Sequence, residues 1–137
     1  MNTFRIGGST PEIELAKISP LKNNIKPIQK AAYKQRIEKV CSLMIHNDVK
    51  AIYVNAGSNL LYFTGTHWHA SERMVGAIIL QNKQVHYIAP KFEKGTIQEF
   101  LDVEGTIHCW EEHENPYQLF LHILKENNIE DGEVQID

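Results

Sequence analysis

Cysteine is scarce in this chain, with two in 137 residues and no C-x-x-C pair. Cys41 falls in a helical pattern and Cys109 in a strand pattern, so two free, buried thiols in a reducing compartment are expected, not a disulfide framework. Charge of one sign is equally sparse: the formal net charge is −3, and the 14 Lys and Arg are scattered along the sequence. That leaves no electrostatic footprint for nucleic acid or an anionic membrane. Lys22, Lys26, Lys30 and Lys34 recur every four residues, but Glu12, Glu14 and Glu38 lie close in sequence, and the set reads as a solvated face. No window approaches the roughly 20 apolar residues that span a bilayer. Met1 to Pro20 has no apolar signal core, and the cytoplasm is the expected location. Gly7-Gly8 belongs to no G-x-G-x-x-G and has no following Lys-Ser or Lys-Thr, so no phosphate cradle is implied.

What is present is an ordinary globular composition, 42% hydrophobic and 23% charged, at a length that suits one core. Residues 1–27 carry Gly7-Gly8, Pro11, Pro20, Asn23-Asn24 and Pro27, which read as an extended amino-terminal arm with at most one short helical turn around Pro11 to Lys17. Residues 28–137 read as the domain proper. Tyr33, Ile37, Val40, Cys41 and Met44 fall at helical spacing between Ile28 and Asn47, where Asn47-Asp48 supplies a stop. Lys50 to Asn55 reads as a buried strand, followed by a turn and a short helix capped by Ser58 and stopped by Gly65. Met74 to Gln81 and Gln84 to Ala89 read as a hairpin closed by Asn82-Lys83. A helix from Lys91 to Leu101, with Phe92, Ile97, Phe100 and Leu101 at helical offsets, leads to a strand from Thr106 to Trp110. Asn115-Pro116 starts a further helix, because Asn caps free amide groups while Pro at the first position loses no needed donor. Glu133 to Asp137 reads as a last strand, and Tyr33, Tyr53, Tyr62, Phe63 and Phe120 fall at core-facing positions. Strands alternating with helices, plus one antiparallel hairpin, predict an α/β fold with a mixed sheet flanked by helices.

Residues capable of chemistry are few. His113-Glu114-Asn115-Pro116-Tyr117 begins like a zinc peptidase helix but has Tyr where the second His belongs, and Pro116 starts a helix there instead of continuing one. His67-x-His69 with Glu72 could offer metal ligands from one side of an extended segment, yet no fourth ligand lies nearby in sequence; a pocket lining or subunit contact is the better reading. Ser71 lacks a G-x-S-x-G elbow, and Cys41 sits mid-helix on an apolar face, so no nucleophile stands out. Glu111-Glu112-His113-Glu114 reads as a solvated loop placing negative charge before a helix amino terminus.

One region is more specific. Ser58-Asn59-Leu60-Leu61-Tyr62-Phe63-Thr64-Gly65, then Trp68-His69-Ala70-Ser71-Glu72-Arg73 and an apolar strand, resembles the amino-terminal domain of the creatinase, prolidase and Xaa-Pro aminopeptidase family, and among these bacterial Xaa-Pro dipeptidases. The Ile6-Gly7-Gly8-Ser9-Thr10-Pro11-Glu12 opening is similar to the same dipeptidases. The resemblance implies an α/β domain like the ribonuclease H motif, followed by a catalytic "pita-bread" domain that is absent from this chain. That second domain is implied to hold two divalent metal ions, manganese, cobalt or zinc, through two Asp, one His and two Glu, and to hydrolyse the bond before proline with metal-activated water. None of those ligands carries over, so the chain alone is expected to be non-catalytic and to hold no metal or cofactor. What it is expected to do is dimerise the full-length protein and gate substrate, with its own catalytic domain, a second copy and proline-containing peptides as partners. Trp68, His69 and Arg73 are the residues that would border the partner subunit's active site. The loop from Thr66 to Arg73 is expected to lie exposed at the end of the sheet, Trp68 included. Arg73 would bind either a substrate carboxylate or a local acid such as Glu72. A stand-alone peptide- or protein-binding module of the same fold is the alternative.

Overall fold

Five strands form one mixed sheet in the computed structural model, which describes residues 9–20 and 25–137. They are β1 (Val49–Asn55), β2 (Gly76–Leu80), β3 (Val85–Pro90), β4 (Thr106–Trp110) and β5 (Glu133–Ile136), in the order β4-β3-β2-β1-β5. β2 runs antiparallel to both β1 and β3, while β5 pairs parallel with β1 and β4 parallel with β3. Four strands therefore point one way and β2 the other. As the innermost strand, β2 is buried at every position, which is why its sequence, GAIIL, is an unbroken apolar run with no alternation.

Helices cover both faces. α2 (Lys30–His46), α3 (Ser58–Thr64) and α4 (Lys94–Glu99) lay Tyr33, Ile37, Cys41, Leu60 and Ile97 against Val54, Ala77, Ile79 and Tyr87. On the opposite face α5 (Pro116–Glu126) sets Phe120, Ile123 and Leu124 against Tyr53, Ile78, Ile88 and Trp110. The Asn115 side chain accepts from the Tyr117 amide at 2.9 Å and Pro116 follows it, so the predicted start of α5 is the observed one. The hairpin turn is also where expected: Lys83 takes φ 71°, and Asn82 accepts from the Gln84 amide. Among the described residues, no helix is long and apolar enough to cross a membrane.

Several expectations are corrected. The turn around Pro11 to Lys17 is a seven-residue helix, α1, because Thr10 accepts from the Ile13 amide and Pro11 follows; Gly7-Gly8 and Asn23-Asn24 lie outside the described residues. Ser58 does not cap α3. Gly57 holds the capping position at φ 129°, and Ser58 is the first helical residue. The helix expected from Lys91 to Leu101 is a 3-10 turn, Lys91–Glu93, followed by the short α4, so Ile97 is buried while Phe92 and Phe100 stay exposed. Tyr62 is exposed instead of core-facing, since a seven-residue helix turns only Leu60 and Thr64, one turn apart, toward the sheet. Tyr62 packs instead edge-to-face on Phe63, with the Arg36 guanidinium 4.2 Å from its ring centre. Cys41 is buried, and its thiol donates to the Leu80 carbonyl, but Cys109 is only half-buried because β4 is an edge strand.

Candidate functional site

The carboxyl ends of β1, β3, β4 and β5 meet at one end of the sheet, and the segment connecting α3 to β2 crosses it. This segment is firmly rooted. Gly65 closes α3 at φ 75°, and a Cβ there would lie 2.7 Å from both Asp102 Cβ and Tyr33 Cε2. The Thr64 hydroxyl donates to the Leu60 carbonyl at 2.7 Å and accepts from the Thr66 amide. Thr66 is fully buried, contrary to the expectation of an exposed loop starting there. It lies beside Tyr87, whose phenol donates to the Val103 carbonyl at 2.8 Å and is pushed up to about 12 by burial, with the Thr66 and Thr64 hydroxyls opposing.

Beyond Thr66 the side chains part into two groups. Trp68 is half-buried, packed on the α2-side core and edge-to-face with Phe100 at 6.3 Å. An indole next to an uncovered phenyl ring gains more by packing than by facing water, and the expectation that Trp68 stands free is corrected on that ground. His67 and His69 are exposed, with rings 5.0 Å apart, and line a recess of about 160 Å³ with Trp68, Gly57, Ser58 and Leu61. Glu72 does not join the histidines; its carboxylate faces Arg73 at 2.7 Å. Arg73 also donates to Glu112 at 2.9 Å, and its guanidinium lies 5.5 Å from the Phe92 ring centre. The Glu112 hydrogen bond raises the guanidinium above its ordinary pKa, and Glu72, the local acid named from sequence, is one of the two carboxylates that Arg73 meets. Trp68 and His69 thus share a recess, and Arg73 is held apart from them, at the ends of β3 and β4.

Two further bonds fasten this end: the Trp110 indole donates to the Met74 carbonyl at 3.1 Å, and the Asn59 amide donates to Asp137 at 2.6 Å. Sequence reasoning missed Phe92, Phe100 and Glu112 as partners of the loop. The acidic run Glu111 to Glu114 was the available signal, but which of its carboxylates meets Arg73 depends on how β3 and β4 pair. His113 is exposed in the turn before α5. Among the described residues, no group of three or more His, Cys, Asp or Glu is placed to hold a metal ion.

The sequence profile of the Creatinase/Prolidase N-terminal domain matches residues 36–134, a span that holds the whole loop. The chain belongs to this family. Within the family, it is 29% identical over 94 residues to YkvY of Bacillus subtilis (strain 168), provisionally named a dipeptidase, covering 69% of this chain and 26% of YkvY. It is 28% identical to the prolidase of Thermococcus sibiricus, with a TM-score of 0.66 over 77% of this chain and 28% of that one. The N-terminal domain of a Xaa-Pro dipeptidase from Lactobacillus brevis has the same fold at 20% identity, with a TM-score of 0.66 over 74% of this chain and 75% of that domain. This creatinase/prolidase domain therefore spans about a quarter of the length of YkvY and of the Thermococcus prolidase.

Proposed function

We propose that the chain is the non-catalytic amino-terminal domain of a cytoplasmic, metal-dependent Xaa-Pro dipeptidase, that it helps to hold a homodimer, and that its loop gates substrate at the partner subunit's active site. The observation that carries this reading is the surface around the loop. Tyr62 follows β1 on α3, Phe92 follows β3, Tyr117 follows β4 at the start of α5, and Ile136 ends β5, all with half or more of their surface exposed. Carboxyl ends of strands are where open α/β sheets present ligand surfaces, and exposed apolar side chains at that end suit a docking face.

In this reading, catalysis belongs to a following domain holding two divalent ions, manganese, cobalt or zinc, through two Asp, one His and two Glu. The described residues of this chain offer no such group, so no chemical step is assigned to them. Their part is steric and electrostatic. Trp68 and His69 offer ring faces for an apolar or prolyl group entering the mouth, while the Arg73 guanidinium, already bonded to two carboxylates, must exchange one of them to take a substrate carboxylate.

The test is to express the complete reading frame and assay Xaa-Pro dipeptides with each metal. Hydrolysis that Trp68→Ala weakens through KM, at unchanged metal content, is the expected result. A frame that stops at Asp137, or continues without the five ligands, selects the stand-alone binding module instead.

A further inference from the structure

A second cluster of ionisable groups lies at the β4 edge of the sheet, away from the loop. His86 of β3 and His108 of β4 sit on the face that α5 covers, since each shares its side with the buried Ile88 or Trp110 two residues on. Their ring centres are 5.2 Å apart, and His86 Nδ1 lies 3.0 Å from His108 Nε2. Two nitrogens at that distance need one proton and one lone pair between them; two protonated rings would present N–H to N–H. The other nitrogen of His86, Nε2, is buried with no partner. If Nδ1 carries the proton, Nε2 is a bare lone pair; protonation there would bury a charged donor with nothing to accept it. From α5, His122 and Glu126 face the pair and bond each other at 3.2 Å, and Lys83 and Glu104 border the recess beside His86. Glu126 favours protonation, but it is largely exposed and already engaged by His122.

We propose that the His86–His108 pair is an acid-sensitive latch, whose protonation parts β4 from β3 and loosens α5 while the face covered by α2 stays folded. Burial holds both imidazoles below the ordinary value of 6.5, and His86 lowers His108 further. The unfolded chain then binds more protons than the folded one, so the stability this pair contributes is present above about 6.5 and is lost as pH falls through the depressed folded values. β4 also leads into Trp110 and Glu112, which fasten the loop through Met74 and Arg73. An effect of acid on substrate gating follows only if the function proposed above holds; the latch itself does not depend on it.

The test uses the 137-residue chain carrying Trp68→Phe, which leaves Trp110 as its only tryptophan. Between pH 7.5 and 5.5, its melting temperature should fall by about 5 °C, with a reversible red shift of Trp110 emission. In the same background, His86→Phe/His108→Phe should remove most of that fall and the shift. An equal fall in both proteins overturns the latch. Should the double variant not fold, imidazole proton resonances of the unmodified chain decide: midpoints of both histidines below 6.5, moving together with β4 and α5 amides, support it, and midpoints at or above that value overturn it.

Discussion

Gly65 is read correctly from sequence as the stop of a helix, but its deeper role is not local. Its φ of 75° and the contact of a hypothetical Cβ with Asp102 and Tyr33 combine a backbone constraint with a packing one. Gly65→Ala should cost about 2 kcal/mol or more, measured by urea unfolding; a variant as stable as the parent would mean the turn can shift without loss. Arg73 is the contrasting case. Its side chain is 40% exposed and that of Glu112 58% exposed, so their ion pair is screened. Calorimetry of Arg73→Ala should find the melting temperature essentially unchanged, and a drop of many degrees would make the pair a structural brace. That Glu72 could pair with Arg73 was legible, because it is the neighbouring residue, although the sequence left a substrate carboxylate equally open. That Glu112 would be the second partner was not, because it depends on the pairing of β3 with β4. The packing of Trp68 is hidden in the sequence for a related reason: its partner, Phe100, lies far along the chain, and its side faces Trp68 only because the helix there is short.

Elements were more legible than their neighbours in space. α5 announces itself through Asn115-Pro116 and its apolar spacing, and each part can be tested separately. Asn115→Ala removes the acceptor for the Tyr117 amide and should cost about 1 kcal/mol. Ile123→Ala empties a fully buried position facing the sheet and should cost about 3 kcal/mol. Equal losses from the two would show that the packing of α5 on the sheet contributes less than its burial indicates. The hairpin and the strands were legible from short apolar runs bounded by turn residues. The strand order was not, since placing β5 beside β1 and β4 beside β3 depends on how helical crossovers return to the sheet. The split between the 3-10 turn and α4 is not legible in the sequence, because Phe92 and Phe100 fit a helical period whichever way they face.

At the scale of the whole molecule, the family and the mixed sheet were legible because the Asn59 to Gly65 and Trp68 to Arg73 segments carry a specific pattern. The site was legible only as a place, since the contacts of its loop come from β3, β4 and α4. Three helices cover one face and α5 the other, so the chain should fold by itself, and circular dichroism in the near ultraviolet should detect fixed aromatic packing. Purified alone, it should release no proline from Xaa-Pro dipeptides with manganese, cobalt or zinc, and added metal should leave its melting temperature unchanged. The central claim is that the loop serves a catalytic domain elsewhere in the same protein. Steady-state kinetics on Xaa-Pro dipeptides, comparing the protein of the complete reading frame with its Trp68→Ala/Arg73→Ala variant at equal metal content, test it most directly. The account predicts a fall in kcat/KM of about tenfold or more, with the fold and metal content intact, and unaltered kinetics in the double variant would contradict it.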